Sequence, residues 1–153
     1  MRPLNNTEIR NLGFDPADYD RMYAMNESNT FVRYVKGYYS GFISHGKVIT
    51  LPKYTPCARV IDDKYIIADI SKSTPNYNRS MLIDAMTGET VVEGFGAYFL
   101  QNNTYIGFRV NGKNMADHRW GVYSLEEHKL IHAPNLKYAE IHPYVDQLVG
   151  KAE

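Results

Sequence analysis

A repeat of 40 residues is the feature that most constrains the fold of this chain. At this shift, Gly41-Phe42-Ile43-Ser44 aligns with Met81-Leu82-Ile83-Asp84 and with Gly121-Val122-Tyr123-Ser124. Asp62-Asp63-Lys64-Tyr65-Ile66 aligns in the same way with Asn102-Asn103-Thr104-Tyr105-Ile106. Each unit reads as two pairs of short strands, and about four strands in about 40 residues is the length of a propeller blade. The repeat therefore predicts about three four-stranded units.

Short runs of β-type residues, separated by turn residues, fill residues 31–153. His45-Gly46 and Asn111-Gly112 are typical of the tight turns between them. We predict a mostly-β, antiparallel domain over 31–153, arranged as propeller blades or as a barrel or sandwich. The predicted strands are Phe31–Val35, Tyr38–Ser44, Lys47–Leu51, Cys57–Ile61, Lys64–Ile70, Ser80–Ala85, Glu89–Glu93, Ala97–Leu100, Thr104–Val110, Trp120–Leu125, Lys129–Ala133 and Lys137–Ile141.

Residues 1–30 lack the pattern of short β-type runs found in residues 31–153, and they predict a short helical N-terminal segment. Asp15-Pro16-Ala17-Asp18 offers an N-cap followed by a proline at the first helical position. Tyr19, Met22 and Tyr23 then share one face at helical spacing, which predicts a helix to about Met25.

Two of the units share a longer pattern. Gly41-Phe42-Ile43-Ser44 continues to Lys47-Val48-Ile49, Pro52 and Tyr54, and Trp120-Gly121-Val122-Tyr123 continues to Lys129-Leu130-Ile131 and Pro134. These two units resemble the WG-repeat family. The middle unit departs from the pattern. The resemblance implies a β-repeat interaction module without shared catalytic chemistry. Three blades are fewer than the usual four to eight of a closed ring, so we expect a homo-oligomer that hides the open strand edges.

Charge and targeting signals limit the classes of partner and compartment. Seventeen Lys and Arg balance seventeen Asp and Glu, so a general attraction to nucleic acid or membranes is not indicated. The single cysteine, Cys57, cannot form an intrachain disulfide, and no signal peptide or apolar membrane span is evident. We expect a soluble, cytoplasmic protein.

Catalytic and metal-binding signatures are not evident in the sequence. The five histidines form no ligand pattern, and the paired acids fall at predicted turns. There is no nucleophile elbow and no phosphate-binding loop. We therefore expect neither an enzyme nor a cofactor.

Two polar loops 40 residues apart, 71–79 and 111–119, are candidates for binding another protein. They are rich in the residues of adaptable recognition surfaces, and both end in arginine. Tyrosines without a counterpart in the repeat, including Tyr34, are further candidates, whereas the repeating Tyr65, Tyr98, Tyr105 and Tyr138 should be buried. The predicted binding residues are Tyr77, Arg79, Lys113, Arg119, Trp120, Tyr38 and Tyr39. An inhibitor or adaptor, for example one encoded by a phage or mobile element, would suit these features.

An alternative reading is binding of a nucleotide, single-stranded nucleic acid or carbohydrate. Residues 31–79 carry eight Lys and Arg against three Asp, with eight aromatic residues interleaved. Basic side chains follow phosphates and aromatic rings stack on bases or sugars, so this composition is also typical of a basic, aromatic binding face.

Overall fold

The fold is known from a computed structural model, which describes residues 1–71, 78–94, 96–100, 105–110 and 119–137. The described residues form three antiparallel β-sheets, which confirms the prediction of a mostly-β chain. In every sheet the strands are hydrogen-bonded in chain order, so each sheet is a meander of consecutive strands.

Five strands form the first sheet. They are β1 (Arg2–Pro3), β2 (Arg21–Ala24), β3 (Phe31–Lys36), β4 (Tyr39–Ser44) and β5 (Lys47–Val48). One α-helix, α1 (Asn6–Asn11), precedes β2 among the described residues. The helix begins at a capping box, in which the Glu8 amide donates to Asn5 Oδ1 at 2.8 Å and the Asn5 amide donates to Glu8 Oε1 at 3.1 Å.

The second and third sheets have four strands each. The second contains β6 (Ala58–Ile61), β7 (Tyr65–Ser71), β8 (Asn78–Asp84) and β9 (Thr90–Gly94), and the third contains β10 (Gly96–Leu100), β11 (Tyr105–Val110), β12 (Arg119–Ser124) and β13 (Lys129–Leu136). Strands β3 to β13 overlap the first eleven predicted strands, with different ends; β5, for example, covers only the first two residues of the predicted Lys47–Leu51. The predicted strand Lys137–Ile141 lies, apart from its first residue, outside the described residues.

The predicted helix over residues 15–25 is wrong beyond a single turn. Asp15 does cap a 3₁₀ turn, Pro16–Asp18, through a 2.9 Å bond from the Ala17 amide. Residues 21–24, however, are β2, because their backbone pairs with β3 and their buried side chains alternate as they do in a strand. The first sheet therefore begins within residues 1–30 rather than at residue 31.

The chain divides into two compact units. The described part of the first unit is 1–71 and 81–91, and that of the second is 78–80, 92–94, 96–100, 105–110 and 119–137. Within the first unit, the first sheet is buried on both faces: Phe42 packs in a cluster with Ile66 of the second sheet, whereas its neighbour Ile43 packs in a cluster with Ile9 of α1. Adjacent strand residues point to opposite faces, so the two clusters lie on opposite sides of β4.

Candidate functional site

The β3–β4 hairpin ends in a tight turn that presents two tyrosines. Gly37 and Tyr38 are its central residues, and only Gly37 has a positive φ, 64°. Glycine with a positive φ at the first central position is typical of a type II′ turn, whose twist matches that of the flanking strands. The turn therefore has a defined shape, with Tyr38 at its tip.

Asp20 fixes this turn from the segment that precedes β2. The Gly37 amide donates to Asp20 Oδ2 at 2.6 Å, and the Asp20 amide donates to the Val35 carbonyl at 2.9 Å. Hydrogen bonds to an ionised carboxylate are stronger than those between neutral groups. Sequence reasoning missed Asp20 as a functional residue, because its partner lies 17 residues away and no local pattern marks the contact.

Tyr38 and Tyr39 are both exposed at this tip. Tyr38 is 95% exposed, the highest value among the large hydrophobic side chains of the described residues, and Tyr39 is 48% exposed. Both were predicted as binding residues because they have no counterpart in the repeat. Their exposure makes them accessible, and their role in binding stays a prediction.

Two lysines lie near this turn: Lys36 pairs with Tyr39 across the hairpin, and Lys53 lies on the following segment with its Nζ 5.6 Å from the centroid of the Tyr54 ring. Lys36 Nζ lies 4.9 Å from the centroid of the Tyr19 ring, and the Lys53 amide donates to the Ser40 carbonyl at 3.0 Å, directly after Tyr39. Both lysines are exposed. We call Lys36, Tyr38, Tyr39 and Lys53 the hairpin surface.

The sequence around the hairpin surface contains basic residues but no acidic ones. Residues 28–61 contain five Lys and Arg and no Asp or Glu, although the whole chain is neutral. The Asp20 carboxylate contacts the turn and accepts a hydrogen bond from the Gly37 amide. The hairpin surface therefore offers aromatic and cationic groups together.

A cleft of about 150 Å³ adjoins this hairpin. Tyr19 and Asp20 line the cleft and also contact Lys36 and Gly37, while apolar side chains such as Met22 line its interior. Pockets for drug-sized ligands are larger, roughly 300–1,000 Å³. The cleft is of a size to receive a single side chain of a partner.

The expectation that tyrosines without a counterpart in the repeat are exposed is wrong for Tyr34. It is 3% exposed, its hydroxyl donates to the Thr50 carbonyl at 2.7 Å, and its ring meets the Tyr19 ring edge-on at 5.3 Å. Burial, with a smaller contribution from the nearby Tyr19, raises the pKa of Tyr34 to about 12. Tyr34 is thus a core residue and no part of the hairpin surface.

Trp120 also belongs to a core. It is 3% exposed and clusters with Val122, with Tyr105 and Ile131 packed against them. A side chain buried in this way is not presented at the surface, which counts against the prediction that Trp120 contacts a partner. Arg119, the first residue of β12, is half-buried and pairs with Val110 across the sheet.

The two predicted recognition loops cannot be placed. Tyr77 and Lys113 lie outside the described residues, and Arg79 is known only as part of the backbone of β8. Of the repeating tyrosines, Tyr65 is buried as predicted and Tyr105 is half-buried. The side chains of the remaining pair, Tyr98 and Tyr138, lie outside the description.

No group of three or more His, Cys, Asp or Glu side chains among the described residues converges where it could hold a metal ion. No helix in the described part of the chain is long and apolar enough to cross a membrane.

Comparison with known proteins finds no matching family model, no matching curated protein and no matching solved structure. The WG-repeat resemblance therefore stays a prediction that depends on the residues quoted for it.

Proposed function

We propose that this protein is a non-catalytic binding module that uses the hairpin surface to dock another protein. The observation that carries the proposal is Tyr38, an aromatic side chain 95% exposed on a turn that Asp20 holds in place. Tyrosine is enriched among the residues that dominate binding energies, because it buries a large area with few rotatable bonds. A module of this kind would act as an inhibitor or an adaptor.

The constrained turn supports this role. Ordering a flexible loop on binding costs free energy, and a loop already fixed in its bound shape avoids part of that cost. The type II′ turn and the bond from Gly37 to Asp20 hold the tip before any partner arrives. Tyr38 is thereby available as a rigid anchor.

The charge around the tip indicates the chemistry of the partner. Lys36 and Lys53 are exposed, and residues 28–61 contain no acid. Complementary charge mainly raises association rates and selects partners. We therefore expect the partner surface to be acidic around a pocket that receives Tyr38.

We further propose that the three sheets are successive blade-like units of one repeat. Two features support this: the meander order of each sheet, and the start of β7 at Tyr65 and of β11 at Tyr105, which are 40 residues apart. In this arrangement the hairpin surface belongs to the first of the three repeat units, the one that contains the first sheet. The repeat itself would serve as a scaffold.

Affinity capture with variant proteins tests the docking proposal. The wild type, Tyr38→Ala and Met86→Ala would each be immobilised and exposed to a lysate of the source cells, and the affinities of captured proteins would then be measured. Met86 is the matched control because it is an exposed apolar residue on another turn. We expect Tyr38→Ala to weaken binding by at least about tenfold, or roughly 1.4 kcal/mol, and Met86→Ala to have little effect. Undiminished binding by a Tyr38→Ala/Tyr39→Ala double variant that stays folded contradicts the proposal.

A second candidate function is binding of single-stranded nucleic acid by the same surface. The observation in its favour is the presence of two exposed lysines, Lys36 and Lys53, together with exposed tyrosines in a stretch of sequence, residues 28–61, that contains no acid. Fluorescence anisotropy with a labelled single-stranded oligonucleotide distinguishes the two functions. Binding that weakens steeply with salt, and that is lost in Tyr38→Ala, favours nucleic acid; no change in anisotropy favours a protein partner.

A further inference from the structure

Arg33 is a buried cation in the middle of the first sheet. It lies on β3, directly opposite Tyr23 of β2 and Phe42 of β4, and it is only 7% exposed. Arginine is rarely buried to this extent unless a negative charge accompanies it.

The hydrogen bonds and the ring contact of the Arg33 guanidinium are with neutral groups, and the Cys57 thiol is near enough to interact with its charge. Nη1 donates to Ser40 Oγ at 2.7 Å, Nε donates to Met1 Sδ at 3.3 Å, and the guanidinium carbon lies 4.4 Å from the centroid of the Tyr23 ring. No Asp or Glu of the described residues forms an ion pair with Arg33. Burial accordingly lowers the pKa of Arg33 from its usual value.

The edge formed by Nε and Nη2 is the poorly satisfied part of this side chain. A thioether sulfur is a weak acceptor, yet Met1 Sδ is the partner of Nε. Nη2 has no hydrogen-bond partner among the described residues. These two nitrogens form the planar fork by which arginine binds carboxylates and phosphates through two parallel hydrogen bonds.

The surroundings leave this fork close to the surface. Met1, which contacts Nε, is 55% exposed, and a methionine side chain is flexible. Tyr23, beneath the guanidinium, is only half-buried. Movement of the Met1 side chain would therefore open the fork without a change in the sheet.

We propose that Arg33 binds a phosphate-type oxyanion through Nε and Nη2, in place of the Met1 thioether. In this site Tyr23 supports one face of the guanidinium. Ser40 is a positioning residue, because its bond to Nη1 fixes the plane of the guanidinium and directs the fork away from Ser40. The site does not depend on the proposed docking by the hairpin surface.

Titration with inorganic phosphate, followed through the Nε–H resonance of Arg33 in an NMR spectrum, tests the site in the intact protein. We expect this resonance to shift and saturate, while chloride at equal ionic strength leaves it in place. Adenosine monophosphate as a second probe distinguishes free phosphate from a phosphate carried on a nucleotide. A resonance of Arg33 that does not move with either phosphate probe overturns the proposal.

Two variants and a control separate a specific site from general attraction by charge. Arg33→Lys keeps the charge and loses the fork, and Ser40→Ala loses the positioning bond. Arg10→Met removes an exposed cation on α1 and serves as the control. We expect about tenfold weaker phosphate binding in Arg33→Lys, an intermediate loss in Ser40→Ala and no change in Arg10→Met. Equal losses in Arg33→Lys and Arg10→Met would contradict the proposal, and the wild-type titration decides the question if a variant fails to fold.

Discussion

The ring of Tyr34 lies over Gly41, its direct partner on the neighbouring strand, so closely that a Cβ atom on Gly41 would overlap the ring. The third sheet repeats this relationship, because a Cβ on Gly121 would overlap the ring of its partner Phe108. A glycine in a strand leaves a gap over which an aromatic side chain from the next strand can pack. Glycine at positions 41 and 121, which are two repeat lengths apart, thus has a shared physical reason.

Replacement of Gly41 by alanine should destabilise the protein through this contact. The added methyl group meets the Tyr34 ring, and overpacking of this kind costs about 1–3 kcal/mol in the free energy of unfolding. Urea denaturation measures the loss. In a Tyr34→Ala background the same change should cost less or even stabilise the strand, since alanine restricts the unfolded chain more than glycine does. Equal costs in the two backgrounds would contradict the contact.

The pKa of Tyr34 predicts a loss of stability at alkaline pH. Burial raises this pKa from 10.0 to about 12, so the folded state favours the neutral phenol. The resulting contribution to stability is complete below pH 10 and is lost as the pH rises through about 12. Urea denaturation across this range should show a shallower decline for Tyr34→Phe than for the wild type. Tyr38→Phe, a change at an exposed tyrosine, is the control and should follow the wild-type curve.

Gly88 should tolerate alanine less well than Gly13. Both have a positive φ, 80° and 94°, and an alanine in this conformation costs roughly 1–2 kcal/mol at either position. A Cβ on Gly88 would also overlap the Ile49 carbonyl, whereas a Cβ on Gly13 meets nothing within 4 Å. We expect Gly88→Ala to lower the free energy of unfolding by at least about 1 kcal/mol more than Gly13→Ala. Equal losses of unfolding free energy in the two variants would contradict the close approach of the Ile49 carbonyl to Gly88.

Loss of the Asp20 carboxylate should loosen the hairpin tip without removing Tyr38. Asp20→Ala deletes the acceptor of the Gly37 amide and should cost about 1 kcal/mol locally, because this bond is exposed to solvent. Amide hydrogen exchange at Gly37 should accelerate, while exchange at core amides such as that of Ile43 should change little. Asp18→Ala removes a nearby acid for which no contact to the turn is found, and it serves as the control. Unchanged exchange at Gly37 in Asp20→Ala would show that the turn holds its shape without this bond.

The positions of strands and turns were accessible from the sequence, because alternation and turn chemistry are local. Asp62-Asp63 forms the turn before β7 as the repeat predicts, and both residues have a positive φ. The segment 21–24 shows where local reasoning fails. The spacing of Tyr19, Met22 and Tyr23 fits a helix, but the alternation of Met22 and Ala24 fits a strand equally well, and the hydrogen bonds to β3 decide in favour of the strand.

In the candidate site, too, some features follow from the sequence and others only from the tertiary structure, and the two kinds lie within a few residues of each other. Tyr34 and Tyr38 are both tyrosines without a counterpart in the repeat, yet one is 3% exposed and the other 95%. Tyr34 lies within β3 on the face that Ile9 of α1 and Tyr19 cover, whereas Tyr38 is a central residue of the turn after β3, outside the strand pairing. The sequence by itself determined the repeat, the approximate positions of β3 to β13 and several of the turns, since these follow from neighbouring residues. Only the tertiary structure decided that Arg33 and Trp120 are buried and that Asp20 holds Gly37, because each depends on contacts between segments far apart in the chain.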